Sequence, residues 1–109
     1  MGIKLWIDDI RPAPDGYLWC VSTNEAKLVI NNLETLKRLQ YHDNLPEIEL
    51  ISIDHDAGDM YPYGGDYIRV LDFMEKNGYN YPIRIHSMNP VGVENMRRII
   101  QKNDWTEIF

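Results

Sequence analysis

Three apolar runs in this chain each break off on a polar cluster. Leu5-Trp6-Ile7 runs into Asp8-Asp9, Leu50-Ile51-Ser52-Ile53 into Asp54-His55-Asp56, and Ile83-Arg84-Ile85 into His86-Ser87-Met88-Asn89. Short runs with little polar alternation are the pattern of strands covered on both faces, as in a parallel sheet. A parallel sheet needs crossover connections and gathers its ligands outside the C-terminal ends of its strands. One pattern therefore constrains both the fold and the place of the site. Four aspartates, two histidines, a serine and an asparagine meeting on one sheet edge suit a metal and a phosphate.

The segments between these runs fill in the rest. Residues 3–7 are followed by Arg11-Pro12-Ala13-Pro14-Asp15-Gly16, where two close prolines forbid a regular helix. Tyr17-Leu18-Trp19-Cys20-Val21 reads as a second strand, rich in aromatic and β-branched residues. Ser22 followed by Glu25 is a capping-box pattern that opens a helix to about Gln40, with Ala26, Val29, Ile30, Leu33 and Leu36 at helical spacing. After a polar connector at 41–48, the third strand covers 49–53, and 57–65 reads as a loop carrying Tyr61 and Tyr63. A second helix is expected from about Asp66 to Lys76, burying Ile68, Leu71 and Met74 and stopped by Gly78. The fourth strand covers 82–86. Asn89-Pro90 then starts a last helix to about Lys102 that turns Val93, Met96 and Ile100 inward. The order β-β-α-β-α-β-α predicts a small parallel sheet with helical crossovers.

At 109 residues and 44% hydrophobic, residues 1–109 are expected to form a single domain around one modest core. A net charge of −6 gives no surface for broad nucleic-acid backbone binding, although one metal ion reverses the charge locally. The single Cys20 excludes an internal disulfide and reads as a core thiol. No run approaches a membrane span and no signal peptide is apparent, so a cytoplasmic protein without membrane contact is expected. Trp6, Trp19 and Trp105 read as core or cap residues, and His42 in the connector carries no functional weight.

The clusters resemble those of a receiver domain, in which an acidic pair ends the first strand, an aspartate the third, and Ser or Thr the fourth. Asp8-Asp9, Asp54 and Ser87 stand at those places. The chain departs from that pattern in two ways. A fifth strand with its lysine is missing, and the Arg11–Gly16 loop replaces the first helix. A closer resemblance is to the cyclic-phosphate processing receiver domain. It rests on Trp-Ile-Asp-Asp-Ile-Arg-Pro-Ala-Pro at 6–14, Ser-Ile-Asp-His-Asp at 52–56, and His86-Ser87-Met88-Asn89-Pro90-Val91-Gly92 with Asn95-Met96. The resemblance implies an α/β, flavodoxin-like receiver fold of about four parallel strands with flanking helices. It also implies a role in processing cyclic phosphates on nucleotides or RNA ends.

Asp8, Asp9 and Asp54 are the candidate magnesium or manganese ligands, since magnesium favours a few carboxylates with water and phosphate oxygens. The competing reading is solubilising acids held by Arg11. His55 and His86 would match the acid and base that opening a cyclic ester requires, with Asp56 an alternative base working with magnesium. Both histidines have a structural rival reading, as hydrogen-bonded core residues. Arg11, Ser87 and Asn89 are candidate phosphate contacts, helped by the helix N-terminus at Pro90; Arg84 is the weaker alternative to Arg11. Asn89 reads equally well as a pure cap. Tyr61 and Tyr63 are either base-stacking residues or partly buried loop aromatics. Three functions compete: a metal-dependent cyclic phosphoesterase, a non-catalytic cyclic-nucleotide or phosphate-binding module, and a receiver phosphorylated on Asp54.

Overall fold

Each apolar run forms a strand. In the computed structural model, which describes residues 2–39 and 45–109, these are β1 (Gly2–Ile7), β2 (Tyr17–Cys20), β3 (Glu47–Ile53) and β4 (Ile83–Ile85). The strands pair in the order β2-β1-β3-β4, all parallel. The helices are α1 (Thr23–Arg38), α2 (Ile68–Asn77) and α3 (Pro90–Lys102). This is the four-stranded α/β receiver-like fold expected from the sequence. The sheet order reverses between β1 and β3, and such a switch point opens a crevice for ligands.

The rule that crossovers are right-handed decides which face is covered. The steps β2 to β3 and β3 to β4 run the same way across the sheet, so α1 and α2 lie on one face, with α3 packed beside α2. Leu5, Ile7, Ile51, Ile53 and Ile83 point into that layer and are fully buried, as are Ile30, Leu71, Met74 and Met96 from the helices. Each such side chain contributes about 1.5–3 kcal/mol from burial. The step β1 to β2 runs the other way, and its short proline-bearing segment crosses the opposite face. There the Trp6 Nε1–H donates to the Arg11 carbonyl (2.8 Å), and the Trp19 Nε1–H donates to the Asp8 carbonyl (2.7 Å). Trp6 is half-buried and Trp19 exposed, so only Trp105 of the three tryptophans is a core residue.

Capping sets the helix starts. Ser22 Oγ accepts the Glu25 N–H (3.1 Å) and Glu25 Oε1 accepts the Val21 N–H (3.2 Å), the reciprocal arrangement expected from the sequence. α1 ends at Arg38 rather than Gln40, and the connector's residues 40–44, His42 among them, lie outside the described residues. The segment expected as a loop contains a 3-10 helix, Gly58–Tyr63. α2 begins at Ile68, two residues late, because Gly64 and Gly65 take positive φ and the Asp66 carboxylate accepts the Ala57 N–H (3.0 Å). Val21 falls outside β2, whose ladder ends at Cys20.

No full fifth strand is present among the described residues, but the outer edge of β4 is not bare. Residues 105–108 run beside it with one parallel bridge, Ile83 to Glu107. The Ile83 N–H donates to the Thr106 carbonyl (2.9 Å), and the Ile108 N–H donates to the Ile83 carbonyl (2.7 Å). Glu107 is anchored by Arg97 of α3 through paired hydrogen bonds of 2.8 and 2.5 Å. Among the described residues no helix is long and apolar enough to cross a membrane.

Candidate functional site

Asp8, Asp9 and Asp54 converge at the switch point, with one oxygen of each within 4.8 Å of the others. Asp8 and Asp9 are adjacent, so an extended backbone would aim them apart. The turn after Ile7 brings both round. Asp8 is fully buried. Its Oδ1 accepts the N–H groups of Ile10 (2.9 Å) and Arg11 (3.0 Å), and its Oδ2 faces His86 Nε2 (3.0 Å) and Arg11 Nε (3.1 Å). Burial works to raise its pKa, but those hydrogen bonds and the Arg11 charge outweigh it and hold the carboxyl below the usual range. Asp9 has only its own backbone N–H in compensation. Burial first, and then repulsion from Asp8, Asp54 and Asp59, pushes its pKa up.

Asp54 Oδ1 accepts the His55 N–H (2.7 Å) and Oδ2 meets Arg11 Nη2 (3.3 Å). Arg11 thus bridges two of the three carboxylates and also donates to the His86 carbonyl (3.3 Å). The half-exposed guanidinium sits where the acids need a positive charge. The donor set is all carboxylate oxygen, compact and self-repelling at Asp9, which fits a magnesium-like ion. Gly58 tightens the pocket. Its φ is +54°, and a Cβ there would lie 2.3 Å from Asp9 Oδ2, so the 3-10 helix presses its backbone against that carboxylate.

The two histidines occupy different environments. His86 lies flat on Trp6 (centroids 3.9 Å apart, planes 5° apart), with Nε2 on Asp8 and Nδ1 on Ser52 Oγ (2.8 Å). A neutral ring with its proton on Nε2 satisfies both contacts. Burial lowers its pKa more than Asp8 raises it, which agrees with a neutral ring. Both nitrogens are engaged, so this geometry holds Asp8 in place and leaves no ring atom for a substrate. His55 differs. Its Nδ1 pairs with Asp56 Oδ1 (2.8 Å), and among the described residues no hydrogen bond is made by Nε2. The hydrogen bond from His55, with a further one from Asn89, holds the Asp56 carboxyl below its ordinary range despite some desolvation. The ring rests on the first turn of α3 at Gly92, where a Cβ would lie 2.4 Å from His55 Cγ.

Asn89 does two jobs. Its Oδ1 caps α3 by accepting the Gly92 N–H (3.1 Å), and its Nδ2 donates to Asp56 (3.2 Å). Ser87 Oγ accepts the Asn89 N–H (3.1 Å), which leaves its hydroxyl proton for another acceptor. Arg84 is exposed, level with Ser52 on the face that the helices leave uncovered. Tyr61 and Tyr63 are exposed on the 3-10 helix rather than partly buried.

Four participants escaped the sequence reading. Ser52 looked like an ordinary strand residue, and Gly92 like an ordinary helix residue. Asp66 joins His55 and Asp56 in a second convergent set, although one of its oxygens is taken by Ala57. Tyr67 is fully buried below the acids, donating its hydroxyl to the Val21 carbonyl (2.7 Å), with its pKa raised by burial and then by Asp9, Asp8, Asp54 and Asp66. None of these four stands at a strand end, the position that marked Asp8, Asp9 and Asp54.

No curated protein and no solved structure matches this chain. The sequence profile of the cyclic-phosphate processing Receiver domain matches residues 3–102, from β1 to the end of α3, and so takes in every strand end described above. The chain belongs to the family of cyclic-phosphate processing receiver domains.

Proposed function

We propose that this domain is a magnesium- or manganese-dependent phosphoesterase that opens a cyclic phosphate on a nucleotide or an RNA end. The observation that carries this reading is His55. One ring nitrogen is fixed by Asp56, the other has no partner among the described residues, and the His55 backbone N–H is held by Asp54, one of the three converging carboxylates. A histidine oriented by a carboxylate, with its far nitrogen open, is the arrangement of a proton-transfer residue.

The divalent ion, when bound by Asp8, Asp9 and Asp54, neutralises phosphate charge and polarises the P–O bonds. The residues of the chain account for the rest. The Ser87 hydroxyl and the Val91 N–H in the first turn of α3 face the phosphate oxygens, and Arg11 moves from the aspartates to the same anion. Water adds to phosphorus and one P–O bond to the ribose breaks. The water proton passes to His55 Nε2, and the imidazolium then gives that proton to the released ribose oxygen. Asp56 steadies the imidazolium, and Asn89 steadies Asp56. His86 and Ser52 position Asp8.

Mass spectrometry of 2′,3′-cyclic, 3′,5′-cyclic and cyclic oligonucleotides, incubated with and without metal, tests the reading. The expected result is metal-dependent opening of at least one of them. His55→Asn should slow it by about 10²–10⁴-fold, with metal affinity retained. A His55→Asn variant as active as the parent would contradict the assignment.

A further inference from the structure

The surroundings of this site bear on which cyclic phosphate it accepts. The sheet's C-terminal edge is built from residues 8–11, 21–24, 54–67 and 86–90, and these supply Asp8, Asp9, Asp54, Asp56, Asp59 and Asp66. Arg11 is the one lysine or arginine in the same segments, and it already spans Asp8 and Asp54. A groove that tracks a nucleic-acid strand needs cations at successive phosphates. Here a single phosphate meets compensation from one divalent ion and Arg11, and a second phosphate one nucleotide away would meet Asp56, Asp59 or Asp66. Separations of that order lie within a Debye length of about 8 Å at physiological salt, so the repulsion is not screened away.

The same edge carries apolar side chains with no packing role. Ile10 is 78% exposed, Tyr61 59%, Tyr63 56% and Met88 86%, and they come from the segments after β1, β3 and β4 that supply the acids. Exposed aromatic and apolar groups beside a phosphate site suit a flat base, which stacks without adding charge. We infer that the substrate is a mononucleoside cyclic phosphate, held by one phosphate and its base, rather than the cyclic-phosphate end of an RNA strand. This inference rests on the phosphoesterase reading above and narrows it.

The test compares adenosine 2′,3′-cyclic phosphate with an oligoribonucleotide ending in the same group, both with the manganese-loaded protein. Turnover is followed by mass spectrometry and affinity by calorimetry at low and at physiological salt. The mononucleotide should be processed at least about tenfold faster. Its affinity should vary little with salt, while that of the oligonucleotide should improve as salt screens the aspartates. A Tyr61→Ala/Tyr63→Ala variant should bind the adenosine compound about tenfold more weakly, since stacking on one base is worth roughly 1–3 kcal/mol. It should bind ribose cyclic phosphate lacking a base as the parent does. An oligonucleotide preferred at low salt and weakened by added salt overturns the inference and leaves the phosphoesterase reading standing. No binding or opening of either compound overturns both. A double variant indistinguishable from the parent, or one equally weakened towards the base-free compound, removes the aromatic part of the argument.

Discussion

Replacing Gly92 by alanine should uncouple a gain in helix stability from a loss at the site. Gly92 lies in the first turn of α3 with φ outside the left-handed region, so alanine suits the backbone there. Helix propensity alone favours alanine by about 0.8–1 kcal/mol. The new Cβ, however, would stand 2.4 Å from Cγ, 2.6 Å from Cδ2 and 2.8 Å from Nδ1 of His55. Carbon atoms in contact sit about 3.5–4.0 Å apart, so the ring must retreat by roughly 1 Å or more. It cannot do so freely. The His55 N–H is held by Asp54 (2.7 Å) and its carbonyl by the Tyr67 N–H (2.9 Å), and Cγ is the ring atom nearest that pinned backbone. Overpacking of this kind costs about 1–3 kcal/mol. The net change is then between neutral and about 2 kcal/mol destabilising.

In a His55→Ala background the clash disappears, and the same Gly92→Ala substitution should stabilise by about 0.8–1 kcal/mol. Urea unfolding of the four proteins closes a double-mutant cycle, with an expected coupling of about 1–3 kcal/mol. Imidazole resonances in nitrogen-15 NMR should report the displaced ring in the single variant. Zero coupling together with unshifted His55 resonances would refute the reasoning, because His55 would then not be braced by α3.

Other consequences concern individual groups. Ser52→Ala should leave His86 Nδ1 buried without a donor and cost about 1–3 kcal/mol in urea unfolding. Ser52→Thr should recover most of that loss by keeping the hydroxyl. Asp9→Asn should stabilise the metal-free protein by up to about 1 kcal/mol, since it relieves repulsion from Asp8, Asp54 and Asp59. The same variant should weaken manganese binding in calorimetry. Cys20 is buried with its thiol pushed up to about 12 by burial and then by Glu25, so it should resist thiol reagents at neutral pH until the protein unfolds. The unfolded thiol loses its proton first. Stability should therefore fall as pH rises from about 9 towards 12, by up to about 1.4 kcal/mol per unit from this group, and Cys20→Ala should flatten that slope. Acetyl phosphate should leave no stable adduct on Asp54, whose two oxygens are engaged by the His55 N–H and Arg11; an adduct in intact-protein mass spectra would favour a signalling receiver instead.

The strands were legible in the sequence because each is an apolar run ended by a polar group, and hydrophobicity marks such limits directly. Predicted ends fall within about two residues of those observed for β1, β2 and β3. The errors have local causes. The 3-10 helix at Gly58–Tyr63 contains Pro62 and buries none of its residues, so it leaves no apolar periodicity to read. The late start of α2 depends on the Asp66 carboxylate reaching back to Ala57, a contact nine residues long in sequence. At the site, the meeting of Asp8, Asp9 and Asp54 followed from strand ends alone. The separation of the histidines did not. His55 and His86 look equivalent as residues, and only the stacking of His86 on Trp6 and its bond to Ser52 place it under the acids. Gly92 could not be singled out either, because its importance is the space it leaves for a ring 37 positions earlier.

The central claim is that the chain opens a cyclic phosphate by adding water, using carboxylate-held metal and a single oriented histidine. Its most direct measurement is the reaction of adenosine 2′,3′-cyclic phosphate in oxygen-18 water, with the product read by mass spectrometry. The account predicts a phosphomonoester carrying one labelled oxygen, formed with added magnesium or manganese. It also predicts strong suppression of that product by Asp9→Asn and by His55→Asn. A protein that binds the compound with metal but leaves the ring closed would contradict it, and the domain would then be a binding module.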